Sequence, residues 1–171
     1  MNPLRRLVQN PLALLRPYVA EGMTVLEPGP GMGYFTLDLA RLVGPTGRVV
    51  AVDVQPRMLE GLRRRAHRAG LADRIEVRLA EPATLGLVDL EGKVDVVIAF
   101  AVVHELPSAA RFFSEAAAAL KPGGRLVLGE PSGHVPERDF EGELAEAADA
   151  GLLVSSRPSA WRSRAAVLVK R

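Results

Sequence analysis

Three glycines at alternating positions, Gly29, Gly31 and Gly33, follow an acid, Glu27, in the segment VLEPGPGMGYFT at residues 25–36. Glycine at this spacing lets a loop approach a ligand closely, and the N–H groups at the start of a helix face an incoming anion. A second apolar run, VVAVD, ends in Asp53 about 20 residues further on, where a carboxylate can accept hydrogen bonds from both ribose hydroxyls of a nucleoside. Loop and acid together point to an adenosine-type cofactor. The dinucleotide fingerprint G-x-G-x-x-G, read from Gly29, requires a third glycine at 34, where this chain has Tyr34. A nicotinamide-dependent oxidoreductase on the same layout therefore fits the spacing poorly.

A second group of residues is suited to proton transfer. His104 and Glu105 follow the apolar run of residues 94–99, and His134 lies in EPSGHV at residues 130–135, after another such run. Histidine titrates in the range needed to take a proton from a hydroxyl or an amine, so these three are the candidate general bases. Each histidine also has a plainer reading. His104 would cap the helix that follows Pro107 or pack its loop, and His134 would order its own turn. The chain has three histidines without metal-ligand spacing and no cysteine, so a catalytic metal is not expected. Disulfides and cysteine nucleophiles are excluded outright.

To bring these groups together, the chain must place several strand ends along one edge. From residue 23 onward, short β-branched runs alternate with longer helical patterns, as in successive βα units around a parallel sheet. The strands are expected at 24–27, 48–53, 75–79, 94–99, 125–129, 152–155 and 165–170. The helices are expected at 33–42, 56–69, 108–120 and 139–150. GPTG at 44–47 and KPGG at 121–124 punctuate helix ends, and Pro56 suits a first helical turn. In such a sheet, ligands bind at the carboxyl ends of the strands, which is where every residue singled out above falls.

The glycine segment resembles motif I of class I S-adenosylmethionine-dependent methyltransferases, an acid followed by G-x-G-x-G, with Glu27, Gly29, Gly31 and Gly33 at the matching positions. VVAVDVQPRM at 49–58 is similar to motif II, which implies ribose binding by Asp53 and adenine contacts from Val54 and Met58. RLAEPATL at 78–85 resembles motif III and puts Glu81 near the adenine amino group. VDVVIAFAVVHEL at 94–106 resembles motif IV, with Ala99 and Phe100 beneath the sulfonium. LKPGGRLVLGEP at 120–131 resembles the turn and fifth strand of the subfamily that modifies small molecules. The resemblance implies S-adenosylmethionine as cofactor, and it implies a doubly wound, Rossmann-like α/β three-layer sandwich. Its sheet would be seven-stranded and mostly parallel, with an antiparallel last strand.

A methyl sulfonium is already activated, so its transfer needs chiefly proximity, alignment and a deprotonated acceptor. The expected reaction is methyl transfer to an oxygen, nitrogen or other nucleophile of a small molecule. An RNA or protein methyltransferase, and a non-catalytic S-adenosylmethionine-binding protein, share the cofactor residues and stand as alternatives. The AFAVVHEL segment replaces the N-P-P-Y pattern used for exocyclic base amines.

The 171 residues and 48% apolar content suit one domain covering residues 1–171, with residues 1–20 as a helical lid or edge segment. That segment is arginine-bearing but broken by Pro3, Pro11 and Pro17, unlike the core of a signal peptide, so a cytoplasmic location is expected. No run of residues suits a membrane span. Net charge is only +2, and the basic run Arg63, Arg64, Arg65 and Arg68 reads first as a solvated helix face and second as a phosphate-binding one.

Overall fold

The computed structural model describes residues 15–159 and 162–171; most of the expected N-terminal lid lies outside the described residues. Seven strands form one sheet: β1 (Thr24–Pro28), β2 (Arg48–Asp53), β3 (Ile75–Leu79), β4 (Val94–Phe100), β5 (Leu120–Pro131), β6 (Leu152–Ser156) and β7 (Ser163–Lys170). Their order is β3-β2-β1-β4-β5-β7-β6. β7 runs antiparallel to both of its neighbours, and the other pairings are parallel. The helices are α1 (Thr36–Leu42), α2 (Pro56–Arg68), α3 (Ala109–Ala119) and α4 (Glu137–Asp149).

The strands are apolar on both faces because both faces are covered. On one face, Leu26, Val97, Leu126 and Leu128 pack with Phe112 and Phe113 of α3 and with Phe140 and Leu144 of α4. On the other, Val25, Val49, Val96 and Ile98 pack with Leu37 and Leu39 of α1 and with Leu62 and Ala66 of α2. The result is the expected doubly wound, three-layer α/β sandwich. Among the described residues, no helix is long and apolar enough to cross a membrane.

Two boundaries depart from the sequence expectation by three residues or more. α1 begins at Thr36, not at residue 33, because Gly29, Gly31 and Gly33 all have positive φ and keep the intervening chain in turns. β5 begins at Leu120, which pairs with Val94 before the register shifts and Arg125 pairs with Val96. Lys121–Gly124, expected to close a helix, is therefore an irregular stretch within the strand. Lys121 Nζ there donates to Asp95 Oδ1 at 2.5 Å, and Asp95 Oδ2 accepts from the Thr24 N–H at 2.8 Å, tying β1, β4 and β5 together.

Candidate active site

From β1, the chain winds outward through β2 to β3, then returns to place β4 on the other side of β1. Connections diverge between β1 and β4, the switch point of the sheet, at whose carboxyl ends doubly wound sheets bind their ligands. The loops after the two strands touch there: a Cβ on Gly29 would come within 2.6 Å of Val102 Cγ2. Gly33 is bounded in the same way, since its Cβ would lie 2.5 Å from Leu62 Cδ1 of α2. A Cβ on Gly31 would meet open space, so this glycine is held by its backbone conformation, with φ of 55°, and leaves room beside the loop.

Glu27 lies at the base of this loop, 3% exposed. Its Oε2 and the nearby Thr36 Oγ1 both lack a hydrogen-bond partner of good geometry. Burial raises the carboxyl to about 8, with the Thr36 hydroxyl only partly opposing the shift. A buried carboxyl with a free oxygen beside an open glycine loop suits a positively charged ligand group, such as the ammonium or sulfonium of S-adenosylmethionine. Asp53 ends β2, 9% exposed, and its Oδ1 accepts from the Gln55 N–H at 2.9 Å, which fixes the carboxylate on its own loop.

Val54 and Glu81 meet in a cleft of about 160 Å³, also lined by Pro82, Leu85, Leu106 and Phe112. Its largely apolar walls suit a flat ring, with Glu81 at the rim. Met58 and Phe100 lie outside this cleft. Met58 is half-buried on α2. Phe100 stacks on Phe35, with centroids 5.0 Å apart, and Tyr34 packs edge-on against Phe35 at 4.8 Å. Gly129 makes this possible, because a Cβ there would come within 2.2 Å of the Phe100 ring. A second depression, of about 240 Å³, lies between α4 and the start of β7 beside Phe140, Arg157 and Arg164. It holds none of the residues nominated from sequence.

The three candidate bases are close together but differ in their surroundings. His104 and Glu105 belong to a short 3-10 turn, Val103–Glu105, reached through Ala101, whose φ of 53° is unusual for a non-glycine. His104 does not cap the helix after Pro107: that cap is Ser108, whose Oγ accepts from the Arg111 N–H at 3.2 Å. Instead, His104 Nδ1 is hydrogen-bonded to Glu130 Oε2, and the other Glu130 oxygen accepts from the Val103 N–H at 2.9 Å. The His104 side chain is 21% exposed, and Glu130 is completely buried. His134 is exposed and stands edge-on to the His104 ring at 6.3 Å; Glu105 is also exposed, its Oε1 lying 3.9 Å from His104 Nε2.

Sequence reasoning did not single out Glu130, Glu143 or Phe35. Glu130 ends the apolar run LVLGE just as Glu27 ends VLE, and that repeated pattern is the signal that would have found it. Glu143 of α4 lies near enough to Glu130 to feel its charge. Burial first, then repulsion from Glu130, Glu146 and Asp139, raises Glu143 to about 7. Its Oε2 has no hydrogen-bond partner.

Comparison with known proteins agrees with this geometry. A family model described as a methyltransferase domain matches residues 20–159. The chain is 36% identical over 112 residues to an arsenite methyltransferase of Halobacterium salinarum, covering 66% of this chain and 28% of that protein. It is 37% identical over 127 residues to a ribosomal protein L11 methyltransferase of Pelotomaculum thermopropionicum, covering 74% and 37%. The chain thus spans about a third of the length of these curated relatives. A crystal structure of a SAM-dependent methyltransferase from Aquifex aeolicus superposes with a TM-score of 0.88 at 25% identity, covering 99% of this chain and 94% of that one. With the acid–glycine loop, the acid ending β2 and the switch point in one place, the chain belongs to the S-adenosylmethionine-dependent methyltransferase domain family.

Proposed function

We propose that this protein transfers the methyl group of S-adenosylmethionine to an oxygen, nitrogen or other nucleophile of a small molecule. In this reading Glu27, Gly29, Gly31, Gly33 and Asp53 hold the cofactor, with Val54 and Glu81 beside its base. His104 removes the acceptor's proton, and Glu105 and His134 border the acceptor. Bound there, the cofactor supplies an electrophilic carbon, while the protein aligns the acceptor and accepts its proton.

The observation that carries the small-molecule reading is the position of His104. Its side chain is recessed, one-fifth exposed, against a buried carboxylate. A compact acceptor reaches such a base more easily than a flat macromolecular surface does. A second reading, an RNA acceptor, is favoured by the exposed Arg57, Arg63, Arg64 and Arg68 of α2, which face a single acid on that helix, Glu60.

The test is transfer of labelled methyl from S-adenosylmethionine to separate pools of small metabolites, RNA and protein. Label should enter the metabolite pool, fall at least tenfold with His104→Gln, and stay within twofold when Arg57, Arg63 and Arg68 are changed to Glu. Label entering RNA, and lost in the arginine variant, would replace this reading with the second one.

A further inference from the structure

A buried carboxylate is costly unless each oxygen is engaged. Glu130 lies on the same face of β5 as Leu126 and Leu128, where an apolar side chain would complete the core around Phe112 and Phe140. Packing gives no reason for an acid there. Both its oxygens are engaged instead on one three-residue turn, Oε1 by the Val103 N–H and Oε2 by His104 Nδ1. The cross-strand neighbour Arg164 turns its Nη1 to the carbonyls of Val135 and Ser132, at 2.7 and 3.2 Å, and so holds the loop that carries His134.

The geometry points to Glu130 as the positioning residue of the proposed transfer site, holding the His104 imidazole in the Nδ1–H tautomer with Nε2 free to take the acceptor's proton. A carboxylate only accepts hydrogen bonds, so the imidazole nitrogen facing it carries the hydrogen and the lone pair is left on Nε2. That nitrogen lies on the open side of the turn, near the exposed Glu105 and His134 and out of hydrogen-bond range of Glu105. In the reaction, the acceptor's X–H bond breaks and its proton moves to Nε2. The pair left on X forms the new bond to carbon, and the carbon–sulfur pair departs with sulfur. Glu130 stabilises the imidazolium that results, much as a buried carboxylate does in other acid–histidine pairs. Such a device suits an acceptor that must lose a proton, a hydroxyl, a thiol or an ammonium, and is of no use to one that offers a free lone pair.

This inference rests on His104 being the base, but its first readout needs neither cofactor nor acceptor. Long-range nitrogen–proton NMR of the histidine rings reports which nitrogen is protonated, and His104→Gln assigns the signals. The wild-type protein should show His104 protonated at Nδ1. In Glu130→Gln, one amide oxygen must serve two donors, so the ring should shift toward the Nε2–H form, whereas Glu130→Asp should keep the wild-type tautomer. With an acceptor from the metabolite pool, Glu130→Gln should slow transfer at least tenfold but no more than His104→Gln does, with S-adenosylmethionine affinity within twofold. A wild-type ring protonated at Nε2, or a tautomer unchanged in Glu130→Gln, would overturn the inference. If Glu130→Gln does not fold, the wild-type and Glu130→Asp spectra decide it. Loss of the cofactor reading would appear separately, as failure of the wild-type protein to bind S-adenosylmethionine.

Discussion

Glu27 and Glu130 are the most deeply buried acids at the sheet's carboxyl edge among the described residues, and they solve the cost of burial differently. Glu130 is held by two hydrogen bonds to one turn. Glu27 keeps an unpartnered oxygen and is raised to about 8 by burial. The folded, ligand-free protein therefore holds a proton on Glu27 that the unfolded chain loses once the pH passes the ordinary carboxylate range. Stability from this group is complete below about pH 4.5 and falls as the pH rises toward 8. Glu27→Gln should accordingly raise the melting temperature of the ligand-free protein by several degrees at pH 8.5 and leave it unchanged at pH 4. At about 1.4 kcal/mol per pH unit of displacement, the expected effect is a few kcal/mol at most. The same variant should bind S-adenosylmethionine more weakly. A thermal melt showing no gain at pH 8.5 would mean that Glu27 is charged and paired in the fold. Glu27 was legible in the sequence because an acid, an apolar run and a glycine loop are adjacent along the chain. The partnership of Glu130 with His104 was not, because it joins residues 26 positions apart whose proximity depends on the register of β4 against β5.

At the scale of elements, every strand and α-helix of the described residues was visible as a change of hydrophobic period, whereas the short 3-10 turns and two boundaries, each displaced by three residues or more, were not. Both boundaries lie where glycine overrides pattern: Gly29–Gly33 delays α1, and the KPGG stretch is carried inside β5 by the pairing of Leu120 with Val94. Glycine also decides where Phe100 goes. The structure lays the ring across Gly129 and against Phe35, at the carboxyl end of β4. Gly129→Ala should displace that ring and cost about 1–3 kcal/mol by overpacking. Denaturant unfolding gives the magnitude, and near-ultraviolet circular dichroism should report the altered Phe35–Phe100–Tyr34 stack. Unfolding and dichroism both identical to wild type would show that the ring is not confined there.

At the scale of the whole molecule, function follows from where the chain reverses direction. β1 and β4 are neighbours, but their connections leave in opposite directions, so the segments Glu27 to Gly33 and Phe100 to Glu105 meet at the switch point of one sheet edge. Asp53 reaches the same edge from β2, and Glu130 reaches it from β5. Alternation of strands and helices made this arrangement legible, since in a doubly wound sheet the strand ends that carry chemistry share one edge. The proposed acceptor side, around His104, depends on long-range contacts such as that between His104 and Glu130, whereas the acid–glycine loop proposed for the cofactor is contiguous in sequence and so was easier to read. The central claim is that the sheet edge at this switch point binds S-adenosylmethionine through the acid–glycine loop and Asp53. Calorimetric titration with S-adenosylmethionine, S-adenosylhomocysteine and NAD, on wild-type protein and on Asp53→Ala, tests it most directly. The two sulfur ligands should bind in the micromolar range, NAD should not, and Asp53→Ala should weaken binding at least tenfold, about 1.4 kcal/mol. No binding of either sulfur ligand, or a preference for NAD, would contradict the account.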